Sequence, residues 1–154
     1  MSAIERRLKE LNLELPSVSS PAGSYVPWVR SGSLLFVSGQ LPFGESGALI
    51  AGQVSREVTL EQAQDAARRA GLSLIAVVRD ALTSLDHVEQ VVRIGGFVNA
   101  PPGFTQHPQV INGCSNLMLE VWGDRGRHAR AAVGVSDLPL GAAVEVDAVF
   151  EVRD

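Results

Sequence analysis

Cysteine is nearly missing from these 154 residues. The one thiol, Cys114, has no second to join, which excludes a disulfide-stapled secreted scaffold and fits a reducing compartment. Histidine is almost as sparse. His87, His107 and His128 stand far apart, with no His-x3-His or Cys-x2-Cys spacing, so no metal site is expected and surface or satisfied imidazoles are the plainer reading. Positive charge is in deficit too, with 13 Lys and Arg against 17 Asp and Glu for a net charge of −4. Nothing in that balance, and no cluster of cations interleaved with aromatics, would hold a nucleic acid. No apolar run approaches the roughly 18 residues of a membrane span, and MSAIERRLKELN is charged from Glu5 onward, where a secretory signal needs an apolar stretch. A soluble, cytoplasmic chain with no membrane partner is expected. Finally, the approach to Thr59 is Gln53-Val54-Ser55-Arg56-Glu57-Val58, not a glycine-rich phosphate loop, which argues against ATP and dinucleotides.

What is present is a core. At 45% hydrophobic and 19% charged residues the chain is too apolar for disorder, and its length fits one domain spanning residues 1–154. Ser2 and Glu5 have capping-box spacing ahead of Ile4, Leu8 and Leu11, predicting a helical N-terminal extension within residues 1–16, ended by Pro16. Tyr25–Arg30 and Leu34–Ser38 read as a hairpin around Ser31-Gly32-Ser33, and Leu49–Gln53 as a further short strand. Thr59 and Gln62 repeat the capping signal before a long helix marked by apolar residues from Leu60 to Ala81, with Gly71 inside it pointing to close packing. Val88–Val98 is nearly continuous and β-branched, the pattern of a central strand covered on both faces. A second helix is expected from Val110 to Trp122, stopped by Gly123. Arg130–Val135 and Val144–Val152 close the chain as strands joined through Leu138-Pro139-Leu140-Gly141. The fold class is therefore α/β (α+β), a mixed sheet with both main helices on one face. Its other face is left bare, so association with further copies is expected.

Chemistry must then come from polar residues set in apolar strands. Cys114 falls on the apolar stripe of a helix, where a buried inert thiol is the usual finding. Arg130 brings a guanidinium into a run of small apolar residues, and Glu145 brings a carboxylate between Val144 and Val146. Each needs a partner. They either pair with each other as a structural salt bridge or serve a site, and the residues alone leave both readings open. His128, two positions before Arg130, would share its strand face and reach a pocket rim, although an exposed strand-end imidazole is the simpler reading.

These residues resemble the Rid family, also called YjgF-like and, in older usage, endoribonuclease L-PSP. The resemblance runs through Tyr25, Ser38-Gly39-Gln40, Arg130 within HARAAVGV, Leu138-Pro139, Gly141 and Val144-Glu145-Val146, from Tyr25 to the C-terminus. It implies a chorismate-mutase-like subunit and a homotrimer with pockets at the subunit interfaces. The implied activity is hydrolysis of reactive 2-enamine or 2-imino acids to 2-oxo acids and ammonia, with no cofactor. On this resemblance Arg130 holds the substrate carboxylate, Glu145 positions the attacking water, and Tyr25 and Ser38 line the pocket. Ala132 stands where the better-known imine deaminases have cysteine, and Asn112, Ser115 and Asn116 are the candidates for the family's pocket asparagine. The competing readings are a trimeric binding module for a small carboxylate and, less favoured by the acidic balance, a ribonuclease.

Overall fold

Ser2 starts the first helix. In the computed structural model, which describes residues 1–154, its hydroxyl accepts the Glu5 N–H, and the Asp86 carboxylate accepts the N–H groups of Ala3 and Ile4 at 2.9 Å each. Three donors that a helix start leaves orphaned are thereby satisfied. The helix, α1 (Ala3–Glu10), buries Ile4 and Leu8. It stops well short of Pro16. Asn12 adopts a left-handed φ of 54°, the Leu13 N–H reaches the Leu8 carbonyl, and the Asn12 N–H reaches that of Lys9. This is a Schellman closure, which Asn tolerates better than most residues.

The hairpin forms as strands β1 (Trp28–Ser31) and β2 (Leu34–Gln40), antiparallel with Ser31 opposite Leu34 and Gly32 at φ 61° in the turn. Tyr25 lies outside it, in the bend that precedes β1. The strand expected over Leu49–Gln53 is also absent. Leu49 and Ala51 make only isolated bridges, to Phe43 and Ala142, in a turn-rich stretch that offers no continuous partner. Thr59 then completes both halves of its capping box with Gln62 and opens α2 (Leu60–Leu82).

Strand β3 (Val88–Asn99), helix α3 (His107–Trp122) and strand β4 (Ala129–Val135) form a parallel β-α-β unit, and β5 (Val144–Val152) ends the sheet. Gly123 closes α3 with φ 61°. The strand order is β1-β2-β5-β3-β4, with every pair antiparallel except β3 and β4. β3 is thus interior, but β5 holds the middle, and β4 and β5, consecutive in the chain, are separated by β3. Helix α2 packs on β2 and β5, and α3 packs on β3 and β4, so both cover one face. One hydrophobic cluster takes residues from Ile4 to Val152.

The second face has no cover within the chain. Strand β5 alternates buried Val144, Val146, Ala148, Phe150 and Val152 with part-exposed Glu145, Asp147 and Val149. Phe97 on β3 is likewise only part-buried, while Val29, Phe36 and Val133 are 54%, 46% and 46% exposed. The expectation that β3 is covered on both sides is therefore not met within one subunit.

Candidate functional site

Arg130 occupies the sheet edge. On β4 it sits opposite Ile94, which in turn sits opposite Ala148, and both of those are buried under the helices. Residues in register share a face, so Arg130 points to the helical side. There its Nη1 donates to Asn112 Oδ1 at 2.8 Å and to Ser115 Oγ at 3.1 Å, and Nη2 donates to the Pro108 carbonyl at 3.4 Å. All three acceptors are neutral. No carboxylate pairs with Arg130, although nine other ion pairs form across the chain. Of the three polar candidates on α3, Asn112 and Ser115 meet the guanidinium and Asn116 does not.

Glu145 lies on the other side of the sheet. It pairs in register with Phe97, three positions along β5 from Ala148, so its side chain projects from the open face. A structural Arg130–Glu145 bridge is thereby ruled out within one subunit, because alternation along strands directs the two groups to opposite faces. The Glu145 carboxylate rests over the Cα of Gly39, where any Cβ would collide with it. Burial pushes the Glu145 carboxyl up from its ordinary value, and the neighbouring Asp147 pushes it further. Asp147 is itself raised by burial, against the opposing pull of Arg93 and a hydrogen bond from the Gly95 N–H.

Ser38 directly precedes Gly39, over which Glu145 rests, and Tyr25 lines a cleft with Gly39 and Gln40. The Ser38 N–H bonds the Pro27 carbonyl at 2.9 Å and its hydroxyl donates to the Val26 carbonyl at 2.7 Å, fixing the bend that carries Tyr25 beside the start of Ser38-Gly39. Tyr25 is 53% exposed. Of the four residues singled out from the sequence, Glu145 thus rests over Gly39, next in the chain to Ser38, Tyr25 borders a cleft with Gly39, and Arg130 lies on the opposite face of the sheet.

Cys114 sits behind the guanidinium, wholly buried. Desolvation pushes its thiol up to about 12 while Arg130's charge pulls the other way, and the result is an inert side chain. His128 is not an exposed strand-end imidazole; it meets the same Ser115 hydroxyl as Arg130, on the helical side of the sheet. It precedes β4 and is part-buried; Nδ1 is 2.6 Å from the Gly126 carbonyl and Nε2 is 2.9 Å from Ser115 Oγ. Its contact with Ser115 depends on a turn at Gly126, which strand periodicity does not register. No three His, Cys, Asp or Glu side chains converge as metal ligands.

A five-stranded mixed sheet with helices on one face and a cation at its edge defines a chorismate-mutase-like α+β protein. The family described as "YjgF/chorismate mutase-like, putative endoribonuclease" matches residues 5–151, and the chain belongs to it. Protein TCP17 of Trypanosoma cruzi is 45% identical over 152 residues, covering 98% of this chain and 95% of its own length. The crystal structure of Atu1372 from Agrobacterium tumefaciens, a protein of unknown function, is 46% identical with a TM-score of 0.90 over 97% of this chain and 92% of its own. A protein from Shewanella oneidensis that carries the same provisional endoribonuclease label is 34% identical with a TM-score of 0.94, over 98% and 100% of the two chains. These likenesses establish family and fold. No helix is long and apolar enough to cross a membrane.

Proposed function

We propose that the protein hydrolyses reactive 2-imino acids, and the 2-enamines that tautomerise to them, at pockets shared between the subunits of a homotrimer. The observation that carries this reading is the unneutralised Arg130 guanidinium, held at the sheet edge by neutral acceptors only. A cation so placed recognises an anion, and its planar fork suits a carboxylate. The bare sheet face supplies the reason to associate. Packing that face against another copy would set the edge of one subunit, with Arg130, beside the Glu145, Ser38 and Tyr25 group of its neighbour.

The chemistry needs only water and these side chains. With the substrate carboxylate on Arg130, a water held by Glu145 adds to the imine carbon, the C=N π electrons pass to nitrogen, and Glu145 takes the water's proton. Returning that proton to nitrogen gives a carbinolamine, with an NH2 group and a hydroxyl on the same carbon. The hydroxyl proton then passes by way of Glu145 to the NH2 nitrogen as the C–N bond breaks and the oxygen's electrons close the C=O bond, so that ammonia departs and a 2-oxo acid remains. A carboxyl raised by burial is suited to both steps, since its proton affinity lies nearer that of the groups it serves. Ala132, on the Arg130 face two residues along β4, leaves the clamp intact but gives the pocket floor a smaller side chain. Ammonia release from an imino acid generated in situ tests the reading. Accelerated release supports it, whereas binding of 2-oxo acids without turnover, or cleavage of RNA in place of imine, overturns it.

A further inference from the structure

We infer that His128 is a positioning residue for Arg130, acting through the Ser115 hydroxyl. The inference rests on the proposed function, because it takes Arg130 to be the substrate's carboxylate clamp. Three hydrogen bonds carry it. Gly126 presents a carbonyl to Nδ1 at 2.6 Å, and a carbonyl only accepts, so Nδ1 holds the imidazole proton. In the neutral ring Nε2 is then a lone pair, 2.9 Å from Ser115 Oγ, and it takes the hydroxyl proton. With that proton committed, the oxygen of Ser115 turns a lone pair to Arg130 Nη1 at 3.1 Å. Each donor and acceptor has one role, and the chain runs in one direction from guanidinium to hydroxyl to imidazole to backbone.

Burial makes the arrangement consequential. Ser115 is only 8% exposed, so little solvent is available to take the place of the imidazole. Deprived of Nε2, a helical serine turns its hydroxyl to the carbonyl four residues earlier, here that of Ile111. The oxygen then no longer faces Arg130 in a fixed direction, and Asn112 is left as the only side chain that orients the guanidinium. An arginine that must meet a carboxylate through two parallel hydrogen bonds loses affinity when its plane is free to rock. Neither end of the relay touches Glu145, which projects from the opposite face of the sheet.

Asparagine and glutamine separate the two ends of the ring. At position 128 asparagine reaches about as far as Nδ1 and keeps a donor for Gly126, while glutamine reaches about as far as Nε2 and keeps an acceptor for Ser115. The probe is 2-oxobutanoate, titrated calorimetrically against the intact assembly. His128→Asn and Ser115→Ala are each expected to weaken binding about two- to tenfold, the worth of one neutral hydrogen bond, with His128→Gln within about twofold of the parent. The double variant His128→Asn/Ser115→Ala is expected to bind no more weakly than Ser115→Ala alone. Full affinity in His128→Asn, or losses that add in the double variant, would overturn the relay. A second reading needs no ligand: rotation of the Arg130 guanidinium about its Nε–Cζ bond, followed by nitrogen NMR, is expected to quicken in His128→Asn and Ser115→Ala. If the parent protein fails to bind 2-oxobutanoate, the proposed function fails, and the NMR result still decides the relay; unchanged rotation overturns it.

Discussion

Arg130 is valuable because nothing inside the chain uses its charge. A charge-assisted pair contributes about 1.5–3 kcal/mol, so Arg130→Ala is expected to weaken 2-oxo acid binding by ten- to more than one-hundred-fold in a calorimetric titration. Arg130→Lys should recover only part of that, since an ammonium lacks the fork. Thermal melting should change little in either variant, because no buried carboxylate loses its partner; a large fall in Tm with binding retained would make Arg130 a structural cation. Glu145 behaves in the opposite way. Its carboxyl is raised by burial and by Asp147, so the folded chain holds this proton more tightly than the unfolded chain does. The cost of ionising it is absent below the unfolded pKa, grows as pH rises toward the folded pKa, and is complete above it. Glu145→Gln should therefore raise Tm at pH 7, by less than the 2–4 °C that about 1 kcal/mol gives at this size because solvent screens a half-exposed group, while imine turnover falls. An unchanged or lower Tm measured by calorimetry at pH 7 would contradict this.

The two main helices meet through small residues. At Gly71 on α2 an added Cβ would lie 3.0 Å from Leu117 Cδ2 and 3.1 Å from Cys114 Sγ, both side-chain atoms able to shift. At Gly113 on α3 it would run into the backbone carbonyl of Gln64, which cannot shift unless the helices part. Gly71→Ala also gains helix propensity of about 1 kcal/mol, so it should be near neutral, whereas Gly113→Ala should cost about 1–3 kcal/mol or more in urea unfolding. Helix α1 depends on Asp86. Burial alone would raise this carboxyl, but the N–H groups of Ile4 and Ala3, the Ser2 side chain and the charge of Arg6 together hold it below its ordinary value. The stability it lends is complete above the unfolded carboxylate pKa and is lost as pH falls through the lower folded value. Hydrogen exchange in α1 should thus accelerate in acid before the rest of the chain does, and Asp86→Asn should abolish that difference. At this scale the sequence was widely legible. The capping pairs Ser2/Glu5 and Thr59/Gln62, the α2 and α3 stripes and the alternation of β5 are local patterns with one structural solution each. The end of α1 and the missing strand at Leu49–Gln53 were not, because a left-handed Asn12 and the lack of a continuous partner strand are decided by backbone geometry and tertiary contact.

At the scale of the molecule the bare face is decisive. Phe36, Phe97, Val133 and Val29 lie on a sheet surface that one subunit cannot cover, and light scattering at micromolar concentration should return three times the 16.4 kDa chain mass. A stable monomer would remove the reason for a shared pocket. The site was only half legible for the same reason. Arg130 and Glu145 stand out as charges among apolar neighbours, but whether they face one another depends on β3 lying between β4 and β5, a matter of topology that no local pattern encodes. The spacing of His128 from Arg130 gave its side of the sheet but not its contact with Ser115, and Asn112 could be told from Asn116 only once α3 lay on β4. Because Arg130 and Glu145 leave opposite faces of one sheet, a pocket that uses both must draw them from two subunits, and mixed trimers show whether it does. Arg130→Ala and Glu145→Gln subunits, each inactive alone, are refolded together and assayed for ammonia release from a freshly generated 2-imino acid. Random mixing of two kinds of subunit leaves about one interface in four with both residues intact, so about a quarter of the parental turnover should return. If the mixture forms trimers and remains as inactive as its components, the two residues do not meet across subunits and the account is wrong.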